Sequence, residues 1–270
     1  MTPRALTSQT ALVTGASGGI GADLARELAA LGAHLVITAR SKDKLEALAA
    51  ELRARHGVEV HVFALDLCAR GGAAELAAAV DGAGLTIDVL VNNAGFATWA
   101  AFADTRWDDI ERLIDLDLRA LTFLTHHFVG GMKARGRGHI MNVASFLAFA
   151  PCPNLAVYAA AKGYVLSLTE ALDYELKKTG VRAFATCPGG TRTGFSEAAG
   201  QRLKKVGERS LMTSASVARL SVKKMLRGRR TYIPGWMNVV SGWVLRLVPR
   251  TFRPGFMKAA MGAGVEAPKV

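Results

Sequence analysis

The sequence predicts an α/β fold: a single-domain, doubly wound parallel sheet with helices on both faces, followed by a helical C-terminal extension. Three observations carry that reading. Short apolar, β-branched runs alternate with Ala-, Leu- and charge-rich stretches of helical period, the rhythm of strands joined by crossover helices. The runs are apolar at nearly every position, as in LVIT and VLVN, which fits strands covered on both faces. The first run leads straight into a glycine-rich turn that opens a helix.

Strands are expected at residues 10–14, 34–38, 58–64, 87–92, 139–143 and 181–186. Helical periodicity fills residues 22–31, 42–56, 69–80, 107–133 and 156–178 between and after them. The alternation stops near Gly189. No Pro/Ser-rich linker and no repeat interrupts the chain, so one body is expected over residues 1–233 and an extension over 234–270.

Composition narrows the class. Half of the 270 residues are hydrophobic, which excludes a disordered chain, and 28 Gly, 8 Pro and 3 Cys exclude collagen-like and disulfide-scaffold classes. The net charge of +12 is unevenly placed: residues 201–270 hold 15 Lys+Arg and 2 Asp+Glu, leaving 19 basic and 20 acidic groups in the first 200. The start, MTPRALTSQT, lacks the apolar run of a signal peptide, and residues 236–248 are too few for a spanning helix. Cys68, Cys152 and Cys187 match no metal-ligand spacing and read as reduced thiols of a cytoplasmic protein. No metal site is expected, and no nucleic-acid motif accompanies the charge.

The residues with chemistry sit at the carboxyl ends of the strands, where open parallel sheets bind ligands. The first turn reads Thr14-Gly15-Ala16-Ser17-Gly18-Gly19-Ile20-Gly21. Glycines let the backbone turn tightly and approach a pyrophosphate, whose charge the helix N-terminus favours. The second strand ends Thr38-Ala39-Arg40. It has no acid to bond ribose hydroxyls, and its Arg suits a 2′-phosphate. Asp66-Leu67 follows the third strand and Asn92-Asn93-Ala94-Gly95 the fourth. Ser145 ends the fifth, and Tyr158-Ala-Ala-Ala-Lys162 opens a long helix with phenol and ammonium on one face. A free phenol titrates near 10. A neighbouring cation is expected to draw it toward the working range of an acid–base catalyst. Pro188-Gly189-Gly190-Thr191-Arg192-Thr193 follows the sixth strand.

These five motifs in order, TGxxxGxG, NNAG, a strand-end Ser, YxxxK and PG, resemble the classical short-chain dehydrogenase/reductase (SDR) family over residues ~10 to ~195. The resemblance implies a Rossmann-like, NADP(H)-dependent oxidoreductase that moves a hydride between nicotinamide and a carbonyl or alcohol, a ketoreductase. It implies Thr14, Gly15, Ser17, Gly19, Ile20, Gly21, Arg40, Asp66, Leu67, Asn93, Ala94, Gly95, Pro188, Gly189, Thr191 and Thr193 as cofactor-binding residues. Tyr158 would move the proton, Lys162 would tune it and bind the nicotinamide ribose, and Ser145 would steady the substrate oxygen. The segment of about 189–211 would line the substrate, an apolar or acyl-type carbonyl compound. Assembly as a homodimer or homotetramer is implied by resemblance alone. One position departs: the family's Asn of the proton relay is here Asp117, placed among the catalytic residues. An ionised Asp only accepts hydrogen bonds, and beside Lys162 it would weaken the pull on Tyr158. Relaxed catalysis would fit another reading, a nucleotide-binding sensor or membrane-surface scaffold on the same fold.

In the extension Trp236, Val239, Val240, Trp243, Val244 and Leu247 form one apolar helical stripe with Asn238, Arg246 and Arg250 off it. Packing of the stripe over the substrate cleft or in an oligomer interface is the expectation. A peripheral membrane contact, or attraction of an anionic thioester carrier, is the alternative.

Overall fold

In a computed structural model the described residues are 5–267. Residues 1–4 and 268–270, the outer ends of the two expected segments, lie outside them. The main sheet is built from β1 (Thr10–Thr14), β2 (His34–Ala39), β3 (Val60–Ala64), β4 (Val89–Asn92), β5 (Gly138–Val143) and β6 (Val181–Thr186). Between them run α1 (Gly19–Ala30), α2 (Lys42–His56), α3 (Gly72–Gly82), α4 (Trp107–Ile114), α5 (Leu121–Ala134) and α6 (Ala156–Glu175). After β6, a short ladder of β7 (Thr191–Arg192) and β8 (Met212–Thr213) brackets α7 (Phe195–Ala198) and α8 (Lys205–Arg209). Then come α9 (Ser214–Leu226), β9 (Thr231–Tyr232), α10 (Trp236–Leu247) and α11 (Arg253–Gly264).

The sheet is parallel throughout, in the order β3-β2-β1-β4-β5-β6-β9. The order reverses between β1 and β4, so the crevice lies beyond their carboxyl ends. Strand alternation explains the continuous apolar runs. Ala11 and Val13 face α1, α2 and α9, whereas Leu12 between them faces α3 and α5. Both faces are therefore core, and the predicted fold class holds.

Besides the short elements of the segment after β6, the structure differs from the expected elements in three places. The single helix expected over 107–133 is interrupted by a π-helical stretch, Asp115–Ala120, whose wider turn re-aims its side chains. A seventh strand, β9, pairs with β6 through only two residues, too few to show a period. And α11, unrecognised in the sequence, carries Pro254 in its first turn, where a helix tolerates it. No helix among the described residues is long and apolar enough to cross a membrane.

One buried carboxylate locks the outer edge of the sheet. Asp173 on α6 accepts from Arg182 Nε at 2.8 Å and from Arg230 Nε at 2.9 Å, joining α6, β6 and the entry to β9. Burial opposes its ionisation, but the two guanidiniums outweigh this and hold its pKa below the usual carboxylate range. Asp173→Ala should cost about 2 kcal/mol in chemical denaturation, the worth of hydrogen bonds to a charged group. Because the folded value is depressed, this contribution is present at neutral pH and lost as pH falls through the folded value. A variant as stable as the parent at pH 7 would show that the edge does not depend on Asp173.

Candidate active site

A cleft of about 1400 Å³ opens at the carboxyl edge of the sheet. It is lined by every site residue singled out in the sequence except Thr14 and Asp117.

The turn after β1 explains why glycine is needed there. Gly15 has φ +67°, and a Cβ on it would stand 2.8 Å from Ala94 Cα. At Gly18, by contrast, a Cβ would meet open space, and the start of α1 carries no side-chain cap. The first N–H groups of that helix are thus free to meet an anion. Thr14 lies behind the cleft: its Oγ1 accepts from the Asn93 and Ala94 amides, both at 3.0 Å. Asn93 Nδ2 returns a bond to the Thr14 carbonyl at 2.9 Å, so the turns after β1 and β4 are tied together.

At the end of β2 the cleft is lined by Ala39, Arg40, Ser41 and Lys44. Lys44 was not singled out from the sequence. Its signal was available, since it sits in the first turn of α2, one helical step inside the strand end that Arg40 marks. No acid lines this corner, and the residues suit an extra phosphate. Asp66 lines the far side and pairs with Arg112 of α4 at 3.8 Å. The donor set fits a dinucleotide: free helix amides for a pyrophosphate, two cations at the strand end, and small residues at Ala94 and Gly95 for close approach.

The reactive corner is formed by β5, α6 and the π-helical stretch. Ser145 caps the turn after β5, its Oγ accepting from the Leu147 amide at 3.2 Å. Tyr158 and Lys162 share one face of α6, with Nζ 5.5 Å from the centre of the phenol ring. Lys162 is buried and donates to Asp117 Oδ1 at 2.8 Å and to the Val143 carbonyl at 3.1 Å. Asp117 is buried too, brought inward by the π-helical turn. The pair sits directly beneath Gly95, where a Cβ would stand 2.6 Å from Asp117 Oδ1. Below it, Asn92 donates to Thr125 and Asn142, and Asn142 to Thr169, a buried polar chain binding β4 and β5 to α5 and α6.

The electrostatics correct one expectation. The Tyr158 phenol stands above, not below, its ordinary value. Burial raises it most; Lys162 pulls it down, but Asp117 pushes it back up, and Ser145 lowers it slightly. Burial disfavours the Lys162 ammonium, yet Asp117 and Tyr158 outweigh this and raise its pKa. Burial likewise raises the Asp117 carboxyl against the pull of Lys162. The corner therefore favours the protonated phenol, beside an ammonium that is paired with Asp117.

The opposite wall comes from the C-terminal elements. Asn238, Val240 and Leu245 of α10 and Met257, Ala260 and Met261 of α11 line the cleft. Asn238 packs so closely on Gly189 that a Cβ there would come within 2.5 Å of its side-chain oxygen. The end of α11 is stitched to the segment after β7: Lys204 N donates to the Gly264 carbonyl and Glu266 N to the Arg202 carbonyl, both at 2.9 Å. The expected stripe of α10 meets the cleft only at Val240 and Val244. Trp236, Val239, Val240, Trp243, Val244 and Leu247 are exposed, and the side that is buried carries Leu245.

Comparison with known proteins supplies the family. A family model described as short chain dehydrogenase matches residues 9–204. The chain belongs to the short-chain dehydrogenase family. This dehydrogenase is 32% identical over 184 residues to the 3-oxoacyl-(acyl-carrier-protein) reductase of Rickettsia bellii, covering 68% of the chain and 73% of that protein. It is 37% identical over 208 residues, 76% of the chain, to the glycine betaine reductase of Emericella nidulans, but spans only 16% of that longer protein. Among solved structures, a short-chain dehydrogenase from Sphingobium yanoikuyae in complex with NADPH matches with a TM-score of 0.79 and 33% identity. That match covers 88% of this chain and 94% of the other. As a member of the family the protein is an oxidoreductase.

Proposed function

We propose that this short-chain dehydrogenase is an NADP(H)-dependent reductase of ketones or aldehydes, with an apolar or acyl-type carbonyl compound as substrate. The observation that carries the reading is the pairing, in one cleft, of Arg40 and Lys44 at the end of β2 with the Ser145–Tyr158–Lys162 corner. Binding of NADPH by the Sphingobium relative supports the cofactor, and the carbonyl chemistry of the Rickettsia reductase supports the substrate class.

In this reading Gly15, Ser17, Gly19, Ile20 and Gly21 receive the pyrophosphate, and Arg40 and Lys44 the 2′-phosphate. Asp66, Leu67, Asn93, Ala94 and Gly95 border the adenine half. Pro188, Gly189, Thr191 and Thr193 border the nicotinamide end. The bound cofactor would supply the hydride. The Tyr158 hydroxyl then gives its proton to the carbonyl oxygen, while Ser145 donates a hydrogen bond to the same oxygen. Lys162 stabilises the phenolate left behind and holds the nicotinamide ribose. Asp117 anchors Lys162 and opposes its pull on Tyr158. The competing scaffold reading would leave this corner unused.

The catalytic body is taken to span residues 1–233 and the extension 234–270. Exposed Phe123 of α5 and Tyr164 and Tyr174 of α6 support a homodimer or homotetramer formed through these helices. Free Cys68, Cys152 and Cys187 support a reducing, cytoplasmic setting.

Cofactor choice gives the test. The parent should oxidise NADPH with kcat/KM well above that for NADH. Arg40→Asp should reverse the preference, lowering kcat/KM for NADPH by about a hundredfold, the worth of a charge-assisted bidentate pair lost and a repulsion gained. Equal use of both cofactors by the parent would contradict the assignment of Arg40.

A further inference from the structure

The helix α10 faces the wrong way for a soluble surface. One of its sides, carrying Asn238, Ser241 and Leu245, meets the cleft, and Leu245 is 2% exposed. The helical repeat sends Trp236, Trp243 and Leu247 to the opposite side, two residues away being about 200° around the helix. There they are 76%, 63% and 84% exposed. A wide apolar face turned outward by a helix whose narrow side packs is a docking surface that lacks its partner.

Charge identifies the partner. The face is flanked by exposed Arg246 and Arg250, with Arg246 stacked 5.2 Å over the Trp243 ring, and exposed Lys258 follows on α11. Residues 201–270 hold 15 basic groups against 2 acidic ones, on a body close to neutral. A second copy docked face to face would oppose these arginines with themselves. An anionic bilayer satisfies both halves of the surface. Tryptophan suits the headgroup boundary, and arginine keeps its head among lipid phosphates while its stem lies along apolar surface.

We propose that α10 docks the protein on an anionic membrane surface, with the cleft opening at the lipid. The cleft opening shares this helix: Val240 and Val244 line the cleft and are exposed on the same side as the tryptophans. A substrate partitioned into the bilayer would then enter along α10 rather than from water. The entry route rests on the reductase reading; the docking does not.

Vesicle co-sedimentation of the full-length protein tests the docking. Binding to phosphatidylcholine vesicles containing phosphatidylglycerol should exceed binding to phosphatidylcholine alone by at least roughly tenfold. A triple variant, Trp236→Ser, Trp243→Ser and Leu247→Ser, should lose at least roughly tenfold of it. Those side chains lie off the cleft, so NADPH consumption with a water-soluble ketone should persist in the same variant. Arg246→Gln with Arg250→Gln should weaken binding only to the anionic vesicles. No preference for anionic vesicles, or unchanged binding by the triple variant, overturns the proposal. So does a parent dimer that the triple variant converts to monomer while neither binds vesicles, because the face then belongs to a second copy. Predicted vesicle binding without any NADPH consumption would refute the reductase reading and leave the docking standing.

Discussion

Tyr158→Phe lowers turnover by roughly a hundred- to ten-thousandfold, the range that a positioned proton donor contributes. The substitution removes one oxygen and little else. The ring keeps its place against Phe195, whose centre lies 5.7 Å away. Lys162 keeps both its partners, Asp117 and the Val143 carbonyl. Cofactor binding should therefore be retained, because the residues of the glycine turn and the β2 end are untouched. Loss at a single chemical step lowers kcat and kcat/KM together, so a rise in KM alone would point to a binding role. Steady-state reduction kinetics and a fluorescence titration with NADPH measure the two quantities. Surviving turnover would place the proton donor elsewhere.

Asp117→Asn shifts the pH dependence of alcohol oxidation toward acid and raises its rate at neutral pH. The direction follows from the charges. Asp117 raises the Tyr158 phenol and occupies the Lys162 ammonium at 2.8 Å. With a neutral amide in its place the ammonium is free to stabilise phenolate, and the phenol titrates at lower pH. Oxidation uses the phenolate as base, so its rate rises at lower pH; reduction uses the phenol, so its alkaline decline also begins at lower pH. Stability should fall by less than the ~3–5 kcal/mol that accompanies loss of a buried ion-pair partner, because Asn retains an accepting oxygen. Rate–pH profiles in both directions check the effect. Identical profiles for parent and variant would mean that Asp117 does not act on Tyr158. A scaffold without catalysis would gain nothing from the change.

Much of this was legible in the sequence because the signals were local. A glycine turn after a strand, a Tyr–Lys pair one helical turn apart and a strand-end Ser each state their geometry by spacing alone. Asp117 was legible as a departure from the family pattern, and the ion pair with Lys162 is present. The sign of the Tyr158 shift was not legible, since it depends on how deeply the phenol is desolvated, which spacing does not report. Lys44 needed the position of α2 against β2. The stripe of α10 was found by its period, but period cannot say which side a helix turns inward. Here the side that packs carries Asn238, seated against the bare backbone of Gly189, and Leu245. The two-residue strand β9 gave no period to read.

The most direct test of the reductase is NADPH consumption by the purified protein across a panel of carbonyl compounds, including acyl thioesters, with Tyr158→Phe run in parallel. Consumption by the parent that tracks formation of the alcohol, exceeds that with NADH and collapses in the variant is the predicted result. Consumption that is absent across the panel, or equal in parent and variant, contradicts the account.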